Sequence, residues 1–339
     1  MIAIHNDLRQ SSFQYRWIDY CKQNNIPYKL VDCFDNNIIS VLEDCSCLMW
    51  HYYQADSKDI VMAKSLLFSL EQSGKKVFPD FNTAWHFDDK VGQKYLLEAL
   101  KTDLVKTWVF YDKKTALDWI NSTTFPKVFK LRGGAGSQNV KLAKNKSEAI
   151  NLTNTAFGKG FPAYDAWESA KERIRKWRLG KTTIIDVLKG FARVINPPHY
   201  AKVMGFEINY IYFQEFVPNN DSDIRIIVID GKAFGIKRMN RENDFRASGS
   251  GYILYNKDSI DINCVKVSLE YNRKLNAQCI AYDYVLDENK NPLLIEISYG
   301  FANAGYDSCT GYWDEELNWH EGSFNPYGWM VEMMLKNGN

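Results

Sequence analysis

A chain of 339 residues, 45% hydrophobic and 24% charged, has the composition of a folded soluble protein and is too long for one small core, so two or three lobes are expected. A formal net charge of +1 gives no bulk attraction to nucleic acid or to an acidic membrane surface, so any anion site must be local. No run of about 18 apolar residues occurs, no signal-peptide segment opens the chain, and seven cysteines follow neither zinc nor disulfide spacing; buried reduced thiols and a cytoplasmic location are expected.

Residues 1–87 read as alternating strands and helices. Ile2 to His5 is a strand, Phe13 to Asn24 has helical spacing, and Tyr28 to Val31 is a second strand. Cys47 to His51, a helix over Ile60 to Glu71, and Lys76 to Phe78 continue the alternation, which implies a parallel sheet with ligands beyond its strand C-termini. Trp50, His51 and Tyr52 stand at such an end, where packing and a substrate role suit them equally. Residues 88–101 form a helix carrying Lys90, Lys94 and Lys101, followed by a strand over Trp108 to Tyr111. Phe125 to Lys130 is a strand that runs into the turn Gly133-Gly134-Ala135-Gly136-Ser137, and a strand resumes at Asn139. A dinucleotide fingerprint would need a helix there. Glu168 to Leu179 is dense in Lys and Arg and reads as an exposed helix, either simply solvated or steering anions toward a substrate mouth. From Asn209 the pattern turns to strands: Ile211 to Phe216, Ile224 to Ile229, Ala233 to Met239, Ile280 to Val285 and Leu293 to Ile297, with one helix over Val265 to Leu275. The expected fold class is α/β (α+β), in three parts: 1–87, 88–213 and 214–339.

Three pieces carry chemistry. Lys130 ends a strand beside a glycine turn, where backbone N–H groups and one cation converge on an anion. Asp283 and Glu296 lie in apolar sequence on adjacent strands joined by the turn at Asp287 to Asn291. Buried carboxylates so placed need partners. Magnesium would satisfy both, and two separate salt bridges would do so as well. The stretch Asp223-Ile224-Arg225, Lys237-Arg238 and Asp244-Phe245-Arg246, ending in Ser248-Gly249-Ser250-Gly251, holds cations able to clamp phosphates and a developing oxyanion.

In this order the pieces resemble the ATP-grasp superfamily, particularly its RimK-type and D-alanine–D-alanine-ligase-like members, over about residues 88–300. Asp89-Lys90 matches the family's helix lysine, Lys130 its strand lysine, and Gln214-Glu215-Phe216 its adenine-side strand. Asp223-Ile224-Arg225, Lys237-Arg238 and Asp244-Phe245-Arg246 match the RimK-like run. The resemblance implies an ATP-grasp fold, with an N-terminal βαβ lobe before two strand-rich ATP-binding lobes. It implies ATP phosphates at Lys90, Lys130 and the loop of Gly133, Gly134, Gly136 and Ser137. The nucleotide would also meet Gln214, Glu215, Phe216 and Asp223. Asp283, Glu296 and Ser298 would take magnesium, and Arg225, Arg238 and Arg246 would be catalytic, Arg246 at the tetrahedral oxyanion. Two departures stand out: Ser298 replaces the usual Asn metal ligand, and Ser248 replaces an Asn.

The implied reaction joins a small-molecule carboxylate to an amine through an acyl-phosphate, with no nucleic-acid partner and no membrane span. A kinase on the same scaffold, a nucleotide-binding regulator and a glycan binder are the alternatives. The aromatic ending, Tyr312-Trp313 through Trp319-His320 to Tyr327-Gly328-Trp329, either lines a sugar-like substrate or caps the lobe. It inclines the substrate expectation toward a sugar acid or amino sugar, beside the amino acid and surface-glycan precursor that the resemblance leaves open.

Overall fold

The computed structural model describes residues 1–134, 139–178, 180, 182–241, 244–247 and 251–336. It opens with β1 (Ile2–His5), α1 (Gln14–Gln23), β2 (Tyr28–Val31), α2 (Ile38–Val41), β3 (Cys47–Met49), α3 (Ser57–Gln72), β4 (Lys76–Phe78) and α4 (Phe81–Ala84). The four strands form a parallel sheet in the order β2-β1-β3-β4. All four residues of β1 are buried, as expected for a strand covered on both faces. α3 begins where Asp56 accepts the N–H groups of Lys58 and Asp59, which caps its first turn.

The middle of the chain contains α5 (Lys90–Ala99), β5 (Thr107–Phe110), α6 (Lys113–Ser122), β6 (Lys127–Lys130), β7 (Val140–Ala143) and α7 (Lys146–Ala156). β8 (Phe161–Pro162), α8 (Ala166–Arg178), α9 (Ile184–Ile195), α10 (His199–Met204), β9 (Phe206–Glu207) and β10 (Ile211–Glu215) follow. Its antiparallel sheet runs β5-β10-β6-β7. Phe129, Ile211 and Phe213 of the sheet pack on Ala116 and Ile120 of α6 and Ala149 of α7, a core separate from the others. The helices α8, α9 and α10 are inserted between β8 and β9, which pair with each other.

The last part contains β11 (Ser222–Ile229), β12 (Lys232–Met239), β13 (Ile253–Leu254), α11 (Ile262–Leu275), β14 (Cys279–Leu286), β15 (Pro292–Ser298), β16 (Gly311–Trp313), β17 (Trp319–Glu321) and α12 (Pro326–Leu335). Its sheet runs β15-β14-β11-β12-β16-β17, with β13 also on β12. The β11–β12 hairpin closes through Asp230 and Gly231, both at positive φ (48° and 75°), the backbone that a two-residue turn between twisted strands requires.

The first and last sheets share their cores. Ile2, Ile4, Trp17 and Phe78 pack with Ile227, Ile229, Phe234, Met330 and Val331. Alternate residues Ala3, Leu48 and Val77 turn to the opposite face, in a cluster that also holds Leu269, Tyr282 and Leu294. All seven cysteines are buried and free. No described helix is long and apolar enough to cross a membrane.

Candidate active site

A cleft of about 480 Å³ opens where the central sheet faces the long C-terminal sheet, with loops of the first sheet at one end. Its floor follows from strand periodicity. Asp223 and Arg225 are two apart on β11 and therefore share a face. The register sets Asp223 opposite Arg238 of β12, Arg225 opposite Asp283 of β14, and Asp283 opposite Glu296 of β15. Arg238 grips Asp223 through two bonds, Nε to Oδ1 at 2.6 Å and Nη2 to Oδ2 at 2.7 Å. Arg225 grips Asp283 in the same bidentate way, and Arg238 Nη2 also lies 3.2 Å from Asp283 Oδ1. The floor is thus a row of alternating charges. Burial alone would raise the Asp283 carboxyl, but the Arg225 and Arg238 charges outweigh it and hold the group below the ordinary carboxylate range.

Two lysines face this row. Lys130, the last residue of β6, is buried, and burial pushes its pKa down to about 8, against the pull of Glu296. Lys90 opens α5 behind its cap Asp89 and donates from Nζ to the Gly134 carbonyl at 2.8 Å, with Glu296 Oε2 at 3.8 Å. Asp88 accepts the Gly134 N–H at 2.8 Å, and a Cβ on Gly133 would lie 3.1 Å from its other oxygen. The glycine turn is therefore gripped at its start by Asp88 and Lys90 together.

On the opposite wall Gln214 is buried, and its amide donates to Thr107 Oγ1 at 3.1 Å and to the Ile295 carbonyl at 3.3 Å. Glu215 pairs with Lys127 at 2.8 Å, and Phe216 meets Phe245 edge-on at 5.9 Å. Val105, Val128, Val285 and Ile297 complete an apolar slot. Arg246 lines the cleft while paired with Asp244, Nη2 to Oδ2 at 2.6 Å. Ser298 donates its hydroxyl to the Gly300 carbonyl at 2.9 Å.

Of the residues singled out in the sequence, Lys90, Lys130, Gly134, Gln214, Glu215, Phe216, Asp223, Arg225, Arg238, Arg246, Asp283, Glu296 and Ser298 all line this one cleft. Gly133 lines an adjoining cavity of about 380 Å³. Gly136, Ser137, Ser248 and Gly249 lie outside the described residues. The cost of burying Asp283 and Glu296 is met here by arginines and by Lys90. The two carboxylates still stand directly opposite each other at the cleft, and no group of three or more His, Cys, Asp or Glu occurs among the described residues. Two carboxylates with phosphate oxygens and water completing the shell is a donor set that suits magnesium.

The aromatic ending behaves as a cap. Tyr312 stacks on His320, Trp313 packs on Trp319, and Phe324 stacks on Trp329, and none of these lines the cleft. These rings pack on one another outside the cleft, as a cap on the lobe does. At the other end Trp50 is fully buried and Tyr52 donates to the Ala84 carbonyl. His51 reaches the cleft, stacked on Phe13 at 3.6 Å, with Nδ1 accepting the Phe13 N–H at 3.1 Å. Burial holds it well below the ordinary histidine range, so its ring is neutral with the proton on Nε2. Sequence reasoning missed Asp88, Arg9, Tyr53, Gln54 and Gln93, all in the lining. Asp88 had a signal, the acidic pair before Lys90; Arg9 had one too, its place just beyond a parallel strand's C-terminus.

Residues 182–311 match the sequence profile of the RimK-like ATP-grasp domain. No curated protein sequence matches the chain. Among solved structures, a RimK-domain ATP-grasp protein from Sphaerobacter thermophilus superposes with a TM-score of 0.56 at 12% identity, covering 99% of this chain and 100% of its own. A D-cycloserine synthetase gives 0.61 at 11% identity, covering 98% of both chains. The D-alanine–D-alanine ligase of Bacillus anthracis gives 0.55 at 14%, covering 98% of this chain and 95% of its own. At these identities the likeness is one of fold.

Proposed function

The chain carries a RimK-like ATP-grasp domain and has the ATP-grasp fold, and from that premise we propose that it is an ATP-dependent carboxylate–amine ligase working through an acyl-phosphate. The observation that carries this reading is the gathering of two lysines, three arginines and two opposed carboxylates, drawn from distant parts of the sequence, in one cleft beside an apolar slot. The lobes at 1–87, 88–213 and 214–339 would then meet around the nucleotide.

The adenine lies in the slot, held by backbone groups of Gln214 to Phe216, because the Gln214 amide is already bonded within the protein. Lys90, Lys130 and the glycine turn hold the phosphates, with Asp223 and Glu215 fixing the cations around them. Glu296, and Asp283 on exchanging a guanidinium contact, would hold magnesium, with Ser298 beside them; the ion supplies charge compensation at the phosphates. The substrate carboxylate oxygen attacks the γ-phosphorus while the bond to the departing ADP oxygen breaks, a step that needs mainly positioning. The amine then attacks the acyl carbon, the oxygen that was the carbonyl becomes the oxyanion, and inorganic phosphate leaves as the amide forms. Arg246 faces that oxyanion, with Arg225 and Arg238 setting the field around it. The carboxylate and the amine are small molecules in this reading, and a cytoplasmic location suits the use of ATP.

Hydroxylamine tests the reaction. With ATP, magnesium and the carboxylate, the parent should yield a hydroxamate. Arg246→Ala should bind ATP normally but form amide about 100-fold more slowly, with ADP release continuing as water takes the intermediate. A phosphorylated acceptor stable to acid, with no hydroxamate, would sink the ligase reading in favour of a kinase.

A further inference from the structure

We propose that the hairpin of α8 and α9 is an interfacial anchor that lays this protein on an anionic lipid surface. α9 is amphipathic in the wrong sense for a buried helix. Val187 and Gly190 face α8, where a Cβ on Gly190 would lie 2.7 Å from the Arg173 side chain. Leu188, Ile185 and Ile195 point outward at 62%, 59% and 91% exposure, and Ile184 and Phe191 extend the same stripe. A helix whose apolar stripe faces water normally has something to cover it.

Charge identifies the cover. Residues 165–204 hold nine Lys and Arg against four Asp and Glu, a surplus of five, whereas the whole chain sums to +1; the remainder is therefore net negative by four. A positive surplus thus coincides with the exposed apolar stripe; a second one, six Lys and Arg with no Asp or Glu, lies at 127–146, away from that stripe. Trp167 and Trp177 of α8 are exposed as well, at 61% and 45%. An element that combines an exposed apolar stripe, a positive surplus and exposed indoles has the composition that settles into the headgroup layer of an anionic bilayer. A protein partner would fit the apolar stripe, but neither the charge surplus nor the indoles call for one.

The hairpin borders the cavity next to the cleft through Ser169, Arg173 and Arg193, with Tyr200 of α10 beside them. That cavity and the cleft share Tyr53, Gln54, Asp88 and Gly134, so docking would hold the cleft beside the bilayer. The inference does not rest on the ligase reading, because binding is measured without ATP.

The test is flotation of the full chain with vesicles of phosphatidylcholine, with and without phosphatidylglycerol, at low and high salt. The parent should float with the anionic vesicles at least about tenfold more than with neutral ones, and less at high salt. The triple variant Ile185→Ser, Leu188→Ser, Ile195→Ser should lose about tenfold or more of that binding, with ATP affinity and thermal unfolding as checks on its fold. Should that variant misfold, the pair Arg178→Glu and Lys202→Glu, both at exposed positions, serves instead and should weaken only the anionic-vesicle binding. A parent that stays with the unbound fraction overturns the proposal, as does a folded triple variant that floats like the parent. A parent that runs as a dimer in light scattering, dissociated by the triple substitution, assigns the face to a second copy instead.

Discussion

Lys130 is a cation held where a cation is poorly solvated, and the carboxylate of Glu296 is what keeps it charged near neutrality. Raising the pH through about 8 should therefore remove its proton and weaken ATP binding. ATP, an anion, favours the charged form, so binding near pH 8.5 should take up a proton, which calorimetry in buffers of different ionisation enthalpy would detect. Lys130→Arg should show no such uptake. The two acidic residues should part company when neutralised. Asp283→Asn strips two buried guanidinium groups of a partner and should cost about 3 kcal/mol of stability in urea unfolding as well as turnover. Glu296→Gln, whose side chain is 32% exposed and 3.8 Å from Lys90, should abolish turnover with less than about 1 kcal/mol lost. Both carboxylates were legible because charge inside an apolar strand needs a partner. Which partner was not legible, since Arg225 lies 58 positions from Asp283 and only the register of β11 against β14 brings them together.

At the level of elements, the long strands were legible almost residue by residue: β11, β12, β14 and β15 begin and end within two residues of where alternation placed them. The helices α6, α7, α9, α10 and α12 were not resolved as such. α12 hides in the aromatic ending, and α9 carries an outward apolar stripe that no core explains. α9 depends on its own ends more than a buried helix does. Thr183 and Asp186 form a reciprocal cap at its start, each side chain bonded to the other's backbone. Thr183→Ala should cost about 1 kcal/mol locally, seen as faster amide exchange over residues 184–195, with the global unfolding midpoint nearly unchanged.

At the scale of the whole molecule, the three larger sheets fall into two packing units. The first and last sheets share cores, while the central sheet has a hydrophobic core of its own with α6 and α7. The strands β5, β6 and β7 should therefore open and exchange their amides at a lower free energy than β1, β11 or β14, and ATP bound in the cleft as proposed should slow that exchange. Nothing in the composition indicates that the first and last sheets, the two most distant in sequence, share their cores. That sharing has a consequence for how the chain is made. Phe78 leaves the ribosome some 250 residues ahead of Met330, its neighbour in the same core. At about 5–20 residues per second, the apolar face of the first sheet waits roughly 10–50 s for its cover. For that interval a nascent chain displays Ile2, Ile4, Trp17 and Phe78 to whatever binds greasy surfaces, and slower elongation lengthens the exposure.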